Sequence, residues 1–175
     1  MRLQVHLRDE TRELTAELEL ELFPHPSETV EFLHARALAY CLSWREGLRA
    51  RGELCRGDEP AFEAPGPDGR RALWVDVGRP DARRLARAAR SADRVQVYCR
   101  GRRELESLRL PRLPRGADLE LVALPRPLLA ELAAGARRRA RWDLARTGER
   151  LVLETGGQRL EGTLLVRRPG RDDRE

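Results

Sequence analysis

The start of the chain alternates apolar and polar residues with the period-two pattern of a strand. Leu3, Val5 and Leu7 stand between polar neighbours and predict a first strand. Over 15–23, Ala16, Leu18, Leu20 and Leu22 face one way while Glu17, Glu19 and Glu21 face the other. That is a half-buried strand with an acidic outer face, and the turn-like residues 9–13 predict that it folds back on the first. At Phe23-Pro24-His25-Pro26-Ser27-Glu28-Thr29 the period changes. Pro26 suits a first helical turn, Ser27 suits the cap, and Glu28 complements the positive helix start. Val30, Leu33, Ala37, Leu38, Cys41 and Trp44 then form a helical stripe that ends near Gly47.

Beyond it the pattern predicts short strands over 53–56 and 61–64, then a turn by composition over 65–69. The run Ala72-Leu73-Trp74-Val75 lies in a strand over 71–77, and a near-continuous apolar run belongs to a strand covered on both faces. Asp81 caps a helix whose apolar side is Leu85, Ala88, Ala89 and Ala92, and a buried strand follows over 95–99. The rest reads as a helix over 102–109, a strand over 118–124 and a helix over 127–134. Strands over 138–146, 150–154 and 159–166 complete it, joined by tight turns. This order predicts an α/β fold with a mixed central sheet flanked by helices and a C-terminal antiparallel strand region. One domain over 1–166 is expected, with a frayed tail over 167–175.

Size and composition agree with a folded chain. It has 175 residues and 20.0 kDa, enough for a sizeable core without disulfide or metal staples. Charged residues make up 36%, well above the roughly 25% of an average globular protein. No apolar stretch approaches the roughly 18 to 20 residues of a membrane span, and the alternating N-terminus does not read as a signal peptide. Cys41, Cys55 and Cys99 have no metal-like spacing, and their odd number closes no disulfide framework. A reducing, cytoplasmic location is therefore expected. The net charge is +5, and all 34 basic residues are arginine. This one-sidedness, with abundant Ala, Leu and Gly, reflects compositional bias more than selection for nucleic acid. It does exclude every mechanism that needs a lysine amine.

The chemistry concentrates between Asp58 and Asp76. A hairpin turning near Pro67-Asp68 places Asp76 across from Asp58 or Glu59, where opposed residues share a face with Cβ atoms about 5 Å apart. Burying a carboxylate costs several kcal/mol unless it is compensated. Either a divalent cation lies between the acids, an arginine neutralises them, or one is protonated. Carboxylate oxygens with water suit Mg²⁺.

Several blocks resemble the YaeQ family: the 23–29 run, Gly52-Glu53-Leu54-Cys55-Arg56-Gly57-Asp58-Glu59-Pro60, and Leu73-Trp74-Val75-Asp76-Val77-Gly78-Arg79-Pro80-Asp81 with Arg83-Arg84. The resemblance implies a compact variant of the PD-(D/E)XK nuclease-like fold, whose core carries two acids on a hairpin and a third on the preceding helix. Carried over by position, Asp58 resembles the first motif aspartate, Asp76 the second acid and Glu28 the helix carboxylate. Glu59 is the substitute for Asp58. These acids would hold Mg²⁺. Where the usual lysine stands, this chain has Gly78, so Arg83, Arg84 or Arg87 from the next helix would supply the cation. Arginine stabilises a phosphorane-like anion but cannot act as a base.

Gln96 and Tyr98 share a strand face and are candidates to line the same site; His25 sits beside Glu28. Arg137, Arg139 and Arg141 fall on one strand face and suit phosphates. The expectation is a metal-dependent phosphodiester hydrolase acting on nucleic acid. The alternative is a catalytically inactive nuclease-like scaffold that binds nucleic acid or a protein partner. No membrane association is expected.

Overall fold

The computed structural model describes residues 1–50 and 59–169. In chain order the strands are β1 (Arg2–Asp9), β2 (Leu14–Glu21), β3 (Arg49–Ala50), β4 (Phe62–Pro65), β5 (Arg71–Val77), β6 (Ala92–Cys99), β7 (Asp118–Ala123), β8 (Arg139–Thr147), β9 (Arg150–Thr155), β10 (Gln158–Thr163) and β11 (Leu165–Arg167). The helices are α1 (Val30–Ser43), α2 (Ala82–Ser91), α3 (Arg102–Glu106) and α4 (Arg126–Ala134). The chain divides into two compact units, Met1–Leu42 with Leu124–Leu165, and the residues from Ser43 to Ala123 with those from Val166 onward.

The first unit carries a five-stranded sheet in the order β10-β9-β8-β1-β2. β1 and β2 form the expected hairpin, with Leu3 against Leu20 and Val5 against Leu18. On its other side β1 pairs in parallel with β8, aligning Val5 with Trp142 and Leu7 with Leu144. Side chains alternate across a strand, so Leu3, Val5, Leu7, Trp142, Leu144 and Leu153 gather on one buried face. His34 of α1 stacks on Trp142 there, with ring centroids 6.1 Å apart.

α1 is shorter than its stripe predicts. Its cap is Thr29, whose hydroxyl accepts from the Phe32 amide at 3.1 Å and whose carbonyl accepts from Leu33. The expected cap Ser27 is occupied elsewhere, its hydroxyl paired with His25 Nδ1 at 2.7 Å. Pro26 therefore lies in a turn ahead of the helix, and α1 ends at Ser43, one residue before Trp44.

The second unit carries a six-stranded sheet, β11-β7-β6-β5-β4-β3. β5, β6 and β7 are parallel, with α2 and α3 in the crossovers, while β3, β4 and β5 are antiparallel. The 71–77 strand matches its expected bounds, and Asp81 caps α2 by accepting from the Arg84 amide at 2.7 Å. The strand expected over 53–56 lies outside the described residues.

Instead of one mixed central sheet there are two mixed sheets. Two pairings cause this. β1 joins the C-terminal strands through β8, and the strand expected over 159–166 divides at Leu164, sending β11 to the edge of β7. Leu164 is buried, and its amide donates to the Glu149 carbonyl at 2.7 Å. No helix among the described residues is long and apolar enough to cross a membrane.

Gly162 on β10 marks a close approach. A Cβ there would lie 2.4 Å from Pro125 Cγ and 2.6 Å from Pro125 Cβ, against a ring that cannot swing aside. Gly162→Ala is expected to destabilise the chain by about 1 to 3 kcal/mol, read as a lowered urea midpoint with an unchanged slope.

Candidate functional site

In the second unit, Asp76 points from β5 onto the face that α2 covers and is only 3% exposed. Arg84, from the first turn of α2, grips it with two parallel bonds: Nε to Oδ2 and Nη2 to Oδ1, both 2.7 Å. The Arg84 Nη2 also donates to the Glu59 carbonyl at 2.5 Å. Its guanidinium lies over the Trp74 ring at 5.6 Å, and Arg71 lies over the same ring at 5.2 Å. The hydrogen bond to Asp76 pushes the Arg84 pKa up, desolvation opposing it and the charges of Asp76 and Asp81 adding to it. Of the three alternatives for a carboxylate buried here, neutralisation by arginine is the one observed.

The hairpin forms, but its register differs from the expectation. Phe62 pairs with Val75, Glu63 with Trp74, and the Ala61 amide donates to the Val75 carbonyl at 2.9 Å. Ala61 rather than Glu59 therefore stands level with Asp76. The turn is displaced because Gly66 closes on Arg70, and a bulge between Ala64 and Pro65 offsets the pairing. Glu59 contributes its backbone carbonyl, and Asp58 lies outside the described residues.

Gly78, the position at which a lysine was looked for, adopts φ 94 while its amide donates to the Tyr98 carbonyl at 2.8 Å. An L side chain is strained in that conformation, so the local backbone itself disfavours lysine here. Among the arginines offered as replacements, Arg84 is bonded to Asp76. Arg83 is exposed and pairs with no carboxylate among the described residues.

Glu28 belongs to the first unit. Its side chain is 2% exposed, and Arg36 of α1 donates to both carboxylate oxygens at 3.1 Å. The His25 amide donates to Oε2 at 2.9 Å, which ties the 25–28 turn shut. Arg36 also reaches the Phe23 carbonyl at 3.2 Å. Like Asp76, Glu28 presents its carboxylate to arginine. As arranged, these two acids do not fit a divalent cation, and no group of three or more His, Cys, Asp or Glu suited to a metal occurs among the described residues.

Gln96 and Tyr98 share a face, but it is the face opposite Asp76. Parallel pairing sets Val75, Gln96 and Glu120 in one row, while Asp76 stands beside Val97. Gln96 Nε2 donates to Glu120 Oε1 at 2.8 Å, and Arg94 and Arg168 donate to Oε2 at 3.0 and 2.8 Å. The Tyr98 hydroxyl accepts from Ser43 at 3.1 Å. Glu120 was not among the sequence candidates. The signal was present: a glutamate within Leu119-Glu120-Leu121-Val122, a run apolar enough to be covered. Burial raises the Glu120 pKa, but bonds from Arg168 and Gln96 and the charges of Arg94 and Arg168 prevail and lower it.

Cys41 and Cys99 are buried free thiols, and desolvation pushes both pKa values up to about 12, which removes them as nucleophiles at neutral pH.

The YaeQ protein family matches residues 1–164. The chain belongs to the YaeQ family. The uncharacterized YaeQ protein of Escherichia coli K12 is 33% identical over 94 residues, covering 54% of this chain and 52% of that protein. The Salmonella typhi protein is 32% identical over the same length. These alignments thus span about half the length of the curated relatives. The crystal structure of a YaeQ protein from Xanthomonas axonopodis pv. citri superposes with TM-score 0.84 at 26% identity, covering 95% of this chain and 96% of that one. That of Pseudomonas syringae gives TM-score 0.76 at 25% identity, covering 94% and 93%.

The Glu120 cluster yields a pH prediction. Its folded pKa is lowered, so the stability it contributes is full above the unfolded value near 4.5 and is lost as pH falls through the folded value. Glu120→Gln should cost about 1 to 3 kcal/mol at pH 7, and the gap to the parent in urea titrations should shrink below pH 4.

Proposed function

We propose that this chain is a nuclease-like scaffold whose motif carboxylates are structural, and that it acts by binding a partner rather than by hydrolysing phosphodiesters. The observation that carries this reading is the two-bond grip of Arg84 on Asp76. A metal-binding acid must offer an oxygen lone pair to the ion, and Asp76 gives both oxygens to a guanidinium that stays charged at any working pH. Recruiting Mg²⁺ would first break two charge-assisted bonds in a site closed by Trp74. The pairing of Glu28 with Arg36 and the backbone geometry at Gly78 support the same reading.

The hydrolase alternative leans on the resemblance of the acidic blocks and requires Asp58 to complete a metal set. The two readings make opposite forecasts for Asp76→Asn. At a metal site, removing one of several carboxylates relieves repulsion, leaves the metal-free protein at least as stable, and abolishes ion uptake. As a structural partner, Asp76 compensates Arg84, whose side chain is 23% exposed.

Asp76→Asn is accordingly expected to lower stability by about 2 to 3 kcal/mol, less than for a fully buried pair because Arg84 is partly solvated. Calorimetric titration of the parent with Mg²⁺ or Mn²⁺ should give no stoichiometric heat. A binding isotherm for the parent that Asp76→Asn eliminates, with unchanged stability, would restore the hydrolase.

A further inference from the structure

The arginines of the first unit divide into two groups. Arg2 sits on Glu21, Arg36 on Glu28, Arg126 on Glu31, Arg150 on Glu161 and Arg159 on Glu154 and Glu161, while Arg12 and Arg146 share Asp9. Arg8, Arg137, Arg138, Arg139 and Arg141 are exposed and pair with no carboxylate among the described residues, and of these Arg137, Arg139 and Arg141 line one cavity.

These three flank a gap in the sheet. β8 pairs with β1 from Arg139 to Arg146, but its other side meets β9 only from Asp143, which pairs with Glu154. One residue further on, β9 ends at Thr155 and turns through Gly156-Gly157 into β10. Residues 139–142 thus have β1 on one side and, among the described residues, no strand on the other.

Beside this open edge is a cavity of about 590 Å³, within the roughly 300 to 1,000 Å³ of ligand pockets. Its lining is mixed: the largely buried Trp142, Leu160, Leu132 and His34 form an apolar, aromatic floor, and Arg139, Arg141, Thr155 and Gln158 add polar walls. His34 donates from Nδ1 to the Val30 carbonyl at 2.8 Å, and burial holds its pKa below the ordinary value. Glu131, on the α4 wall, is the one carboxylate that lines the cavity.

An extended segment laid along this edge would put successive side chains on opposite faces. On one face they would meet Arg139 and Arg141, and on the other Trp142 and Leu160. The sheet already seats a strand of that pattern on the far side of β1. There β2 holds Glu19 and Glu21 on the arginine face and Leu18 and Leu20 on the buried face, with Arg2 bonded to Glu21 and aligned with Arg139.

We propose that the 139–142 edge of β8 receives an extended segment of a partner protein that alternates acidic and apolar side chains and adds to the sheet as a further strand. The proposal rests on reading the chain as a binding module. A polynucleotide would satisfy the arginines, but it has neither amides to pair with the edge nor alternate apolar side chains to fill the cavity.

The test is fluorescence anisotropy with the full chain and a labelled heptapeptide alternating glutamate and leucine. Four comparisons accompany it: the same residues grouped rather than alternating, the peptide N-methylated on its leucines or on its glutamates, the exposed double variant Arg139→Glu/Arg141→Glu, and an oligothymidylate. The alternating peptide should bind saturably, and the double variant should weaken it by about tenfold or more. One of the two N-methylated peptides should lose binding, and amide exchange of residues 139–142 should slow in the complex. Absence of binding, or equal binding of grouped or both methylated peptides, would overturn the proposal. So would oligothymidylate binding at the same arginines, or self-association lost in the double variant. Mg²⁺-dependent cleavage of the oligothymidylate would instead sink the binding-module reading, whereas a peptide-inert, metal-inert chain sinks only the docking edge.

Discussion

A carboxylate near the end of a covered strand has to be neutralised from somewhere, and for Asp76 the neutralising group comes from the next helix. Arg84 can reach back because Asp81 starts α2 where it does: the capping carboxylate accepts from the amide of Arg84 itself. One residue is thus fixed at both ends, its backbone by Asp81 and its guanidinium by Asp76, Glu59 and the Trp74 ring. Lysine could not replace it. An ammonium is a point charge without the planar fork, and it does not stack on an indole in the same way. The arginine bias of the whole chain therefore has a local structural consequence, whatever its origin.

The same solution recurs at other buried acids. Glu28 is held by Arg36, Glu63 by Arg71, and Glu120 by Arg94 and Arg168. In each case the partner is remote in sequence by several residues or more, so the pair joins separate segments. Removing one member would strand the other's charge where water cannot fully compensate it. Charge of both signs is high in this chain, and part of it serves as internal linkage instead of solvated surface.

Local features were legible in the sequence because local physics decides them. The alternation at Leu3-Val5-Leu7 and over 15–21, the apolar run Ala72-Leu73-Trp74-Val75 and the Asp81 cap each depend on neighbours a few residues away. The features that were not legible depend on distant partners. Nothing near β1 announces that β8 will lie parallel to it, and nothing near Leu164 says that the chain changes sheet there. The hairpin register was missed because a turn centre read from composition does not reveal the bulge at Ala64/Pro65. At the site, the need of Asp76 for a neutralising group was legible from the apolar run before it, whereas Glu28 and Arg84 were named through the family resemblance, as a metal ligand and a phosphate-binding cation. Their partners were not readable, because a free carboxylate and a saturated one look the same in a sequence. Which side of the sheet Gln96 faces was not readable for the same reason: it follows from parallel register with Val75, a long-range fact.

The open edge of β8 sets two demands against each other. Unpaired strand edges invite unwanted pairing, and natural sheets blunt them with charge, as the exposed arginines here would do against any neutral or basic strand. The same charge favours an acidic strand, so repulsion of most sequences and attraction of one pattern come from a single pair of side chains. The other edge of this sheet, β2, has the complementary pattern of Glu and Leu, which raises the prospect of one copy adding to another. The recess argues against it. The cavity beside residues 139–142 is walled by the end of α4 and by the β9–β10 turn, and its volume suits a few residues of bare chain. A folded sheet edge would bring β1 and the adjoining hairpin loop with it, whereas a flexible segment brings only its own backbone and alternate side chains.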